Sequence, residues 1–350
     1  MAARMQTLSR QRFLLALAFC LLPGCSALNA GSGEAPAAAL NTSPAIQASI
    51  PIASYGPIFL AMAGDGSRVF AAGDNGFTFV DTASHQISGS LSTPPHPAGL
   101  TASAATGRVY LTNLFAGRMT VVDGRSQSLL SPINLPVGPT APAFGRIATS
   151  PNGATAFVLD EGGQQLLVTD TAQGTIDTMQ LGMRPADIAI SADGTRGLIC
   201  GCHGFCTPGF VQSFDPVRQQ FGGSVQVGPS PYRIVFHPSG RWADTANLGD
   251  GTVSVIDTVG LSVLANIPVA AQLTDLAISA DAKWVYAISR ATNQLGVIDA
   301  VTNQLRGKIT VGPTPREIVL SPDGATAYVS TATGVVVIDT VELRAQLGGN

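Results

Sequence analysis

Apolar runs a few residues long, each stopped by Gly, Pro, Asn or Asp, follow one another along most of this chain, and their order repeats. Residues 311–340, VGPTPREIVLSPDGATAYVSTATGVVVIDT, show the unit: a Gly-Pro loop, an apolar run closed by Ser-Pro-Asp-Gly, a second run, and a third ending in Val-Ile-Asp. Aligned on that last aspartate, the copies fall at Asp81, Asp123, Asp170, Asp215, Asp257, Asp299 and Asp339, with gaps of 42, 47, 45, 42, 42 and 40 residues. The turn closing the first run gives a second, concordant register at Gly66, Gly107, Gly153, Gly194, Gly240, Ala282 and Gly324. Runs this short, bounded by such residues, predict β-strands joined by tight turns.

A unit in the low forties that holds four short strands has the sequence form of a propeller blade. Seven units therefore predict an all-β, seven-bladed β-propeller of four-stranded antiparallel blades. The blades run approximately 54–93, 94–135, 136–181, 182–227, 228–269, 270–311 and 312–347. A length of 350 residues alone suggests two or three domains, but each repeat must bury its face on its neighbours, so 45–350 is expected to be one domain. The first run of each unit is nearly all apolar (188–190, 276–278, 318–320), as suits a strand packed beside the axis. Asn152-Gly153, Asp193-Gly194 and Asp323-Gly324 supply residues that tolerate the left-handed backbone of a hairpin turn. The aspartate ending each third run can accept backbone N–H groups of the next turn, so its repetition calls for no catalytic role. Residues 46–52 (IQASIPI) alternate with period two, like the fourth run of a unit. Residues 45–52 are expected to pair into blade seven and close the ring, because an open sheet edge is a liability; residues 342–347 compete for that place.

The overall charge excludes one class of partner. The net charge is −3, Lys283 and Lys308 are the only lysines, and no run of basic residues occurs, which argues against nucleic acid. Apolar residues make up 45% and charged ones 12%, with 39 Gly and 23 Pro, a balance that fits short strands rather than helices.

At the N-terminus, Arg4, Arg10 and Arg12 flank or precede an apolar stretch, 13–22, that is too short to span a bilayer. It runs into Leu22-Pro23-Gly24-Cys25, which resembles the lipobox of bacterial lipoproteins. The resemblance implies a signal peptide over 1–24, lipidation of Cys25, and an exported protein held to a bacterial membrane by its lipid alone, in the periplasm or at the cell surface. An ordinary secretory signal is the alternative. Residues 25–44 are mainly Ala, Gly, Ser, Asn and Pro with the single charge Glu34, and predict a flexible tether.

Val109-Tyr110-Leu111-Thr112-Asn113, the run NLGDGTVSVID at 247–257 and the turn SPDG at 321–324 resemble the YVTN-type β-propeller repeat. The likeness covers 54–340 and implies the same fold. That family includes surface-layer and cell-envelope proteins, scaffolds, and relatives of lactonases and of quinone or metal enzymes, so function must be read from a site.

In an up-and-down blade the connections alternate between two ends. The tight Asp turns then share one face, and the variable blade-to-blade and second-to-third loops share the other, where a site is expected. The residue leading each first strand at that mouth is Phe59, Gly99, Arg146, Asp187, Arg233, Asp275 or Glu317, mostly charged in a charge-poor chain. Two readings stand. Ion pairs between neighbouring blades, Arg146 with Asp187 and Arg233 with Asp275, would close the ring. Alternatively, Arg146 and Arg233 hold a small anionic or hydroxylated ligand while Asp187, Asp275 or Glu317 serves as base or metal ligand. His96, at the same mouth, could join His203 in such a site.

Cys200-Gly201-Cys202-His203-Gly204-Phe205-Cys206 occupies the second-to-third loop of blade four. Its spacing is neither the paired CxxC of a zinc ribbon nor the CxxCH of haem attachment. For an exported protein it predicts a disulfide from Cys206 to Cys200 or Cys202, with one thiol left over. A metal or redox site on Cys200, Cys202, Cys206 and His203 is the alternative, and no other cofactor is predicted. His237 stands where Ser191, Ser279 and Ser321 close turns in other blades, which points to a structural role. The sequence therefore reads as a lipid-anchored propeller serving as a binding or scaffold module for a protein or small molecule. An enzyme of lactonase or dehydrogenase type is the alternative.

Overall fold

A computed structural model describes residues 43–54, 56–136 and 143–348. The expected signal segment 1–24, Cys25 and the tether up to residue 42 lie outside them. The described residues form seven antiparallel sheets with consecutive strands side by side, a seven-bladed β-propeller. Blade four is representative: Arg184–Ile190, Gly197–Cys202, Gly209–Asp215 and Gln220–Val227 pair in that order from the axis outward. Burial falls along the same path, from the enclosed Gly197–Cys202 strand to an almost wholly exposed Gln220–Val227. The fourth strand of blade two is broken into Ser128–Leu129 and Ile133–Asn134, with Pro132 between them, where a ring nitrogen cannot donate to the ladder.

Cohesion comes from seven apolar cores, each between two neighbouring blades. Phe70, Phe77 and Phe79 of blade one, for example, pack against Val109, Leu111 and Val122 of blade two. Two segments competed for the closing position. Ile46–Pro51 takes it as the fourth strand of blade seven, antiparallel to Gly334–Asp339. Its Ile50 then joins Val335, Val337, Leu60 and Val69 in the core between blades seven and one. The rival segment is instead a short helix, Thr340–Gln346. Asp339 caps it by accepting the N–H groups of Val341 and Glu342, both at 2.9 Å.

The turns follow the repeat closely. All seven positions that close the first hairpin have left-handed backbone, from φ 58° at Ala282 to φ 73° at Gly66. The aspartates ending the third strands bend the chain by accepting N–H groups two and three residues on, as at Asp170 (Ala172 and Gln173, both 2.8 Å) and Asp257 (Val259 and Gly260, both 2.9 Å). These bonds hold the carboxyls of Asp170 and Asp257 below their ordinary range. The repeated aspartates are therefore turn-makers gathered on one face.

Candidate functional site

The opposite face opens on the inner ends of the first strands. In blades two to six the pairing of first and second strands slips by one residue here, between Pro97 and Gly99, Phe144 and Ile147, Pro185 and Asp187, Pro231 and Arg233, and Leu273 and Asp275. Such a bulge gives the strand one unpaired residue and re-aims the side chains beside it. The charged residues singled out above sit at these slips, apart from Glu317, which leads into the short strand Ile318–Leu320.

All five have partners within the protein. Arg146 of blade three reaches Glu317 of blade seven through Nη1, and both side chains are buried. Arg233 places Nε 2.6 Å from Asp275 Oδ1 and Nη1 3.5 Å from Asp187 Oδ1, so one guanidinium links blades four, five and six. The expected pair Arg146 with Asp187 is thus replaced by a longer reach to Glu317. The carboxylates also accept N–H groups from the next blade: Asp187 from Ile234 (2.9 Å), Asp275 from Ile318 (2.8 Å) and Glu317 from Leu60 (3.0 Å). The last of these joins blade seven to blade one.

Burial and charge compete at each group. At Asp275, burial dominates and Arg233 only partly offsets it, which pushes the carboxyl up to about 6. Burial also raises the Glu317 carboxyl, but Arg146 and Arg233 outweigh it and the net direction is down. Both guanidiniums stay firmly charged, because neighbouring carboxylates overcome the burial that opposes their charge. Glu161, on the second-to-third turn of blade three, is raised by burial against the weaker pull of Arg184 and Arg146.

Two residues of this mouth escape the sequence reading. Arg316 and Tyr232 each precede a residue of the axial set, and Arg316 Nη2 donates to the Tyr232 hydroxyl at 3.1 Å. The guanidiniums of Arg146 and Arg316 lie 5.1 and 5.2 Å from the ring centre of Phe59, within cation–π range. Tyr232 is the residue left unpaired by the slip between Pro231 and Arg233, so finding it requires knowing that the strand end is bulged, whereas Arg316 lies ahead of the short strand Ile318–Leu320.

The remaining candidates do not converge on this cluster. His96 is more than half exposed, with Nδ1 3.5 Å from Asp74 Oδ1 and its ring edge-on to Phe115, whereas His203 packs against Phe210. Cys202 and Cys206 form a disulfide, and Cys200 is a buried free thiol whose pKa burial pushes well up, with the charge of Asp187 adding to it. Phe205, inside the disulfide-closed loop, is fully exposed. Among the described residues, no three His, Cys, Asp or Glu side chains come together as a metal site. A groove of about 280 Å³ lies beside the cysteine loop, lined by Leu181, Met183, His203, Phe210, Gln212 and Phe221. It is at the low end for small-molecule pockets, which span roughly 300–1,000 Å³. His237 is buried with Nε2 3.2 Å from Asp244 Oδ1. Asp244 takes the strand position that holds Phe70, Tyr110, Phe157, Tyr286 and Tyr328 in other blades.

No family model matches the chain. An uncharacterized protein of Bacillus subtilis (strain 168), YwhL, is 38% identical over 112 residues, which is 32% of this chain and only 23% of that protein's length. Among solved structures, a chain of Kuenenia stuttgartiensis hydrazine synthase superposes with a TM-score of 0.72 at 19% identity, covering 83% of this chain and 97% of the other. At that identity the likeness speaks to the propeller fold alone.

Proposed function

We propose that this chain is a YVTN-type propeller lipoprotein of a bacterial cell envelope, tethered through Cys25, whose loop face binds a protein partner as a scaffold. The observation that carries this reading is the internal commitment of Arg146, Asp187, Arg233, Asp275 and Glu317. A mouth whose ionisable groups are paired across blades serves ring closure before it serves turnover. Two exposed aromatics favour protein contact on the same face: Phe115 and Phe205, at 55% and 101% exposure, on the second-to-third turns of blades two and four. Aromatic anchors of this kind dominate interface energetics. Phe205 is also held by the Cys202–Cys206 bond, which lowers the ordering entropy lost on binding.

The alternative, an enzyme using the mouth, draws on the raised pKa of buried Asp275, since perturbed carboxyls gather at active sites. One experiment separates the two. A photo-crosslinking residue is placed at Phe205 or, as control, at Val259 on the Asp-turn face, in cells expressing the full chain. The expected result is a discrete adduct from Phe205 and none from Val259. Equal labelling from both positions, or none from Phe205 together with lactone hydrolysis that disappears in Asp275→Asn, overturns the scaffold reading. Cys25→Ser tests the tether and is expected to move the protein from the membrane to the soluble fraction.

A further inference from the structure

The three axial carboxylates are each engaged, yet one guanidinium is not matched. Glu317 serves Arg146 and the Leu60 N–H, Asp187 serves Arg233 and the Ile234 N–H, and Asp275 serves Arg233 and the N–H groups of Leu276 and Ile318. Among the described residues, Arg316 has no ion-pair partner, and its polar contact is the Tyr232 hydroxyl. Its Nε and the Nη2 of buried Arg146 are both out of reach of solvent and without an acceptor. Leaving a buried donor unpaired costs on the order of 1–3 kcal/mol, and more when it is charged, so native structures satisfy such groups from protein, water or ligand. Both guanidiniums lie close to Phe59, whose ring is buried and therefore walls this corner of the mouth with apolar surface.

We propose that the mouth binds a small oxyanion, either a carboxylate or an inorganic tetrahedral anion. Arg316 is the principal ligand, the free Nη2 of Arg146 is a second donor, and the Tyr232 hydroxyl is a third. Arginine suits the role because its fork offers two parallel N–H groups to two oxygens. The anion replaces the hydroxyl contact that now joins blades five and seven, and takes up the two donors left without acceptors. Arg316 and Tyr232 are not among the five paired residues on which the scaffold reading rests, so the binding test and the crosslinking test fail separately.

Charge balance adds a condition. Three guanidiniums (Arg146, Arg233, Arg316) face three carboxylates (Asp187, Asp275, Glu317), with Glu161 and Arg184 beside them as a further carboxylate and guanidinium, so an added anion is best accommodated when one carboxyl takes a proton. Asp275 is the group placed to do so, since it faces Arg233, Arg146, Glu317 and the Ile318 N–H and its burial already favours the neutral form. Binding is then tighter at a pH below 6 than above 7.

The test uses the full chain, with thermal unfolding and calorimetric titration at constant ionic strength and with sodium acetate, sulfate, phosphate and chloride as probes. The expected result is saturable binding of acetate or of sulfate and phosphate, but not of chloride. It should weaken at least about tenfold in Arg316→Gln, a few-fold in Tyr232→Phe, and not at all in Arg241→Gln on the Asp-turn face. A preference for acetate identifies a planar carboxylate ligand, and one for sulfate or phosphate a tetrahedral one. If Arg316→Gln fails to fold, Arg316→Lys keeps the charge without the fork, and the same tenfold loss is expected. Binding equal in wild type and in the Arg316 variants, binding of chloride as strong as of the oxyanions, or no saturable binding at either pH overturns the proposal.

Discussion

Replacing Asp275 by Asn isolates one electrostatic cost of closing the ring. The carboxyl is wholly buried, and its ordinary value of 3.8 is pushed up to about 6, chiefly by burial, with Arg233 as the main counterweight. At about 1.4 kcal/mol per pKa unit, a shift of this size corresponds to about 3 kcal/mol. The folded protein holds this proton more tightly than the unfolded chain. The contribution is therefore fully present below the unfolded pKa and is lost as pH rises through about 6. Asparagine keeps an oxygen to accept the Ile318 N–H, now bonded at 2.8 Å, and Arg233 keeps Asp187 at 3.5 Å, so the variant is expected to fold. Stability would be measured by urea unfolding of both proteins between about pH 4 and pH 8. The turn aspartates, such as Asp170 and Asp257, titrate with the opposite sign. Their stabilisation is present above the ordinary aspartate range and lost as pH falls through their lowered values. Because both proteins share them, they cancel in the difference. The wild type is expected to lose about 2–3 kcal/mol relative to the variant across this range. Curves that stay parallel would refute the claim that burial governs this carboxyl.

Three other perturbations probe the fold. His237→Ser alone removes the group that faces buried Asp244, at an expected cost of about 1–3 kcal/mol in urea unfolding, whereas adding Asp244→Tyr places an aromatic where most other blades have one and recovers most of it; a double variant no more stable than the single would contradict this. Ala282→Gly relieves a left-handed residue at φ 58° and should stabilise by roughly 0.5–1 kcal/mol, read as a rise in Tm of about 2 °C; a fall in Tm would count against it. Deleting residues 43–52 strips Ile50 and Ile52 from the core between blades seven and one, at about 1.5–3 kcal/mol each. The sum is a large share of the ~5–15 kcal/mol stability of a typical domain, and an unchanged urea midpoint would show that the strand is dispensable.

The architecture was readable because the two registers, turn residue and closing aspartate, mark the same physical event in every blade. Each left-handed turn and each Asp-capped turn needs its own residue type, so the chain repeats them. The closing strand was ambiguous because 46–52 and 342–347 both carry apolar residues. The deciding signal was present in Asp339 and Glu342, spaced as the cap and third residue of a helix start. The mouth was half readable. Charges at the head of each first strand could be found, but not who pairs with whom, since Arg146 uses the length of its side chain to reach Glu317 rather than the adjacent Asp187. Tyr232 stayed hidden because a one-residue slip in strand pairing leaves no trace in an apolar run, and Arg316 because it precedes the strand whose apolar run marks the blade.

The closing strand also sets the order of assembly. Ile50 meets Val335 across nearly the whole chain, and tethering ends so distant costs about 5 kcal/mol of loop entropy if nothing between them is yet folded. Six blades can mature from local hairpins during synthesis, while the seventh waits with one seat empty for a segment made first of all. Until it is filled, Gly334–Asp339 presents a bare edge to any neighbouring chain, so misassembly in this protein should begin at that seam.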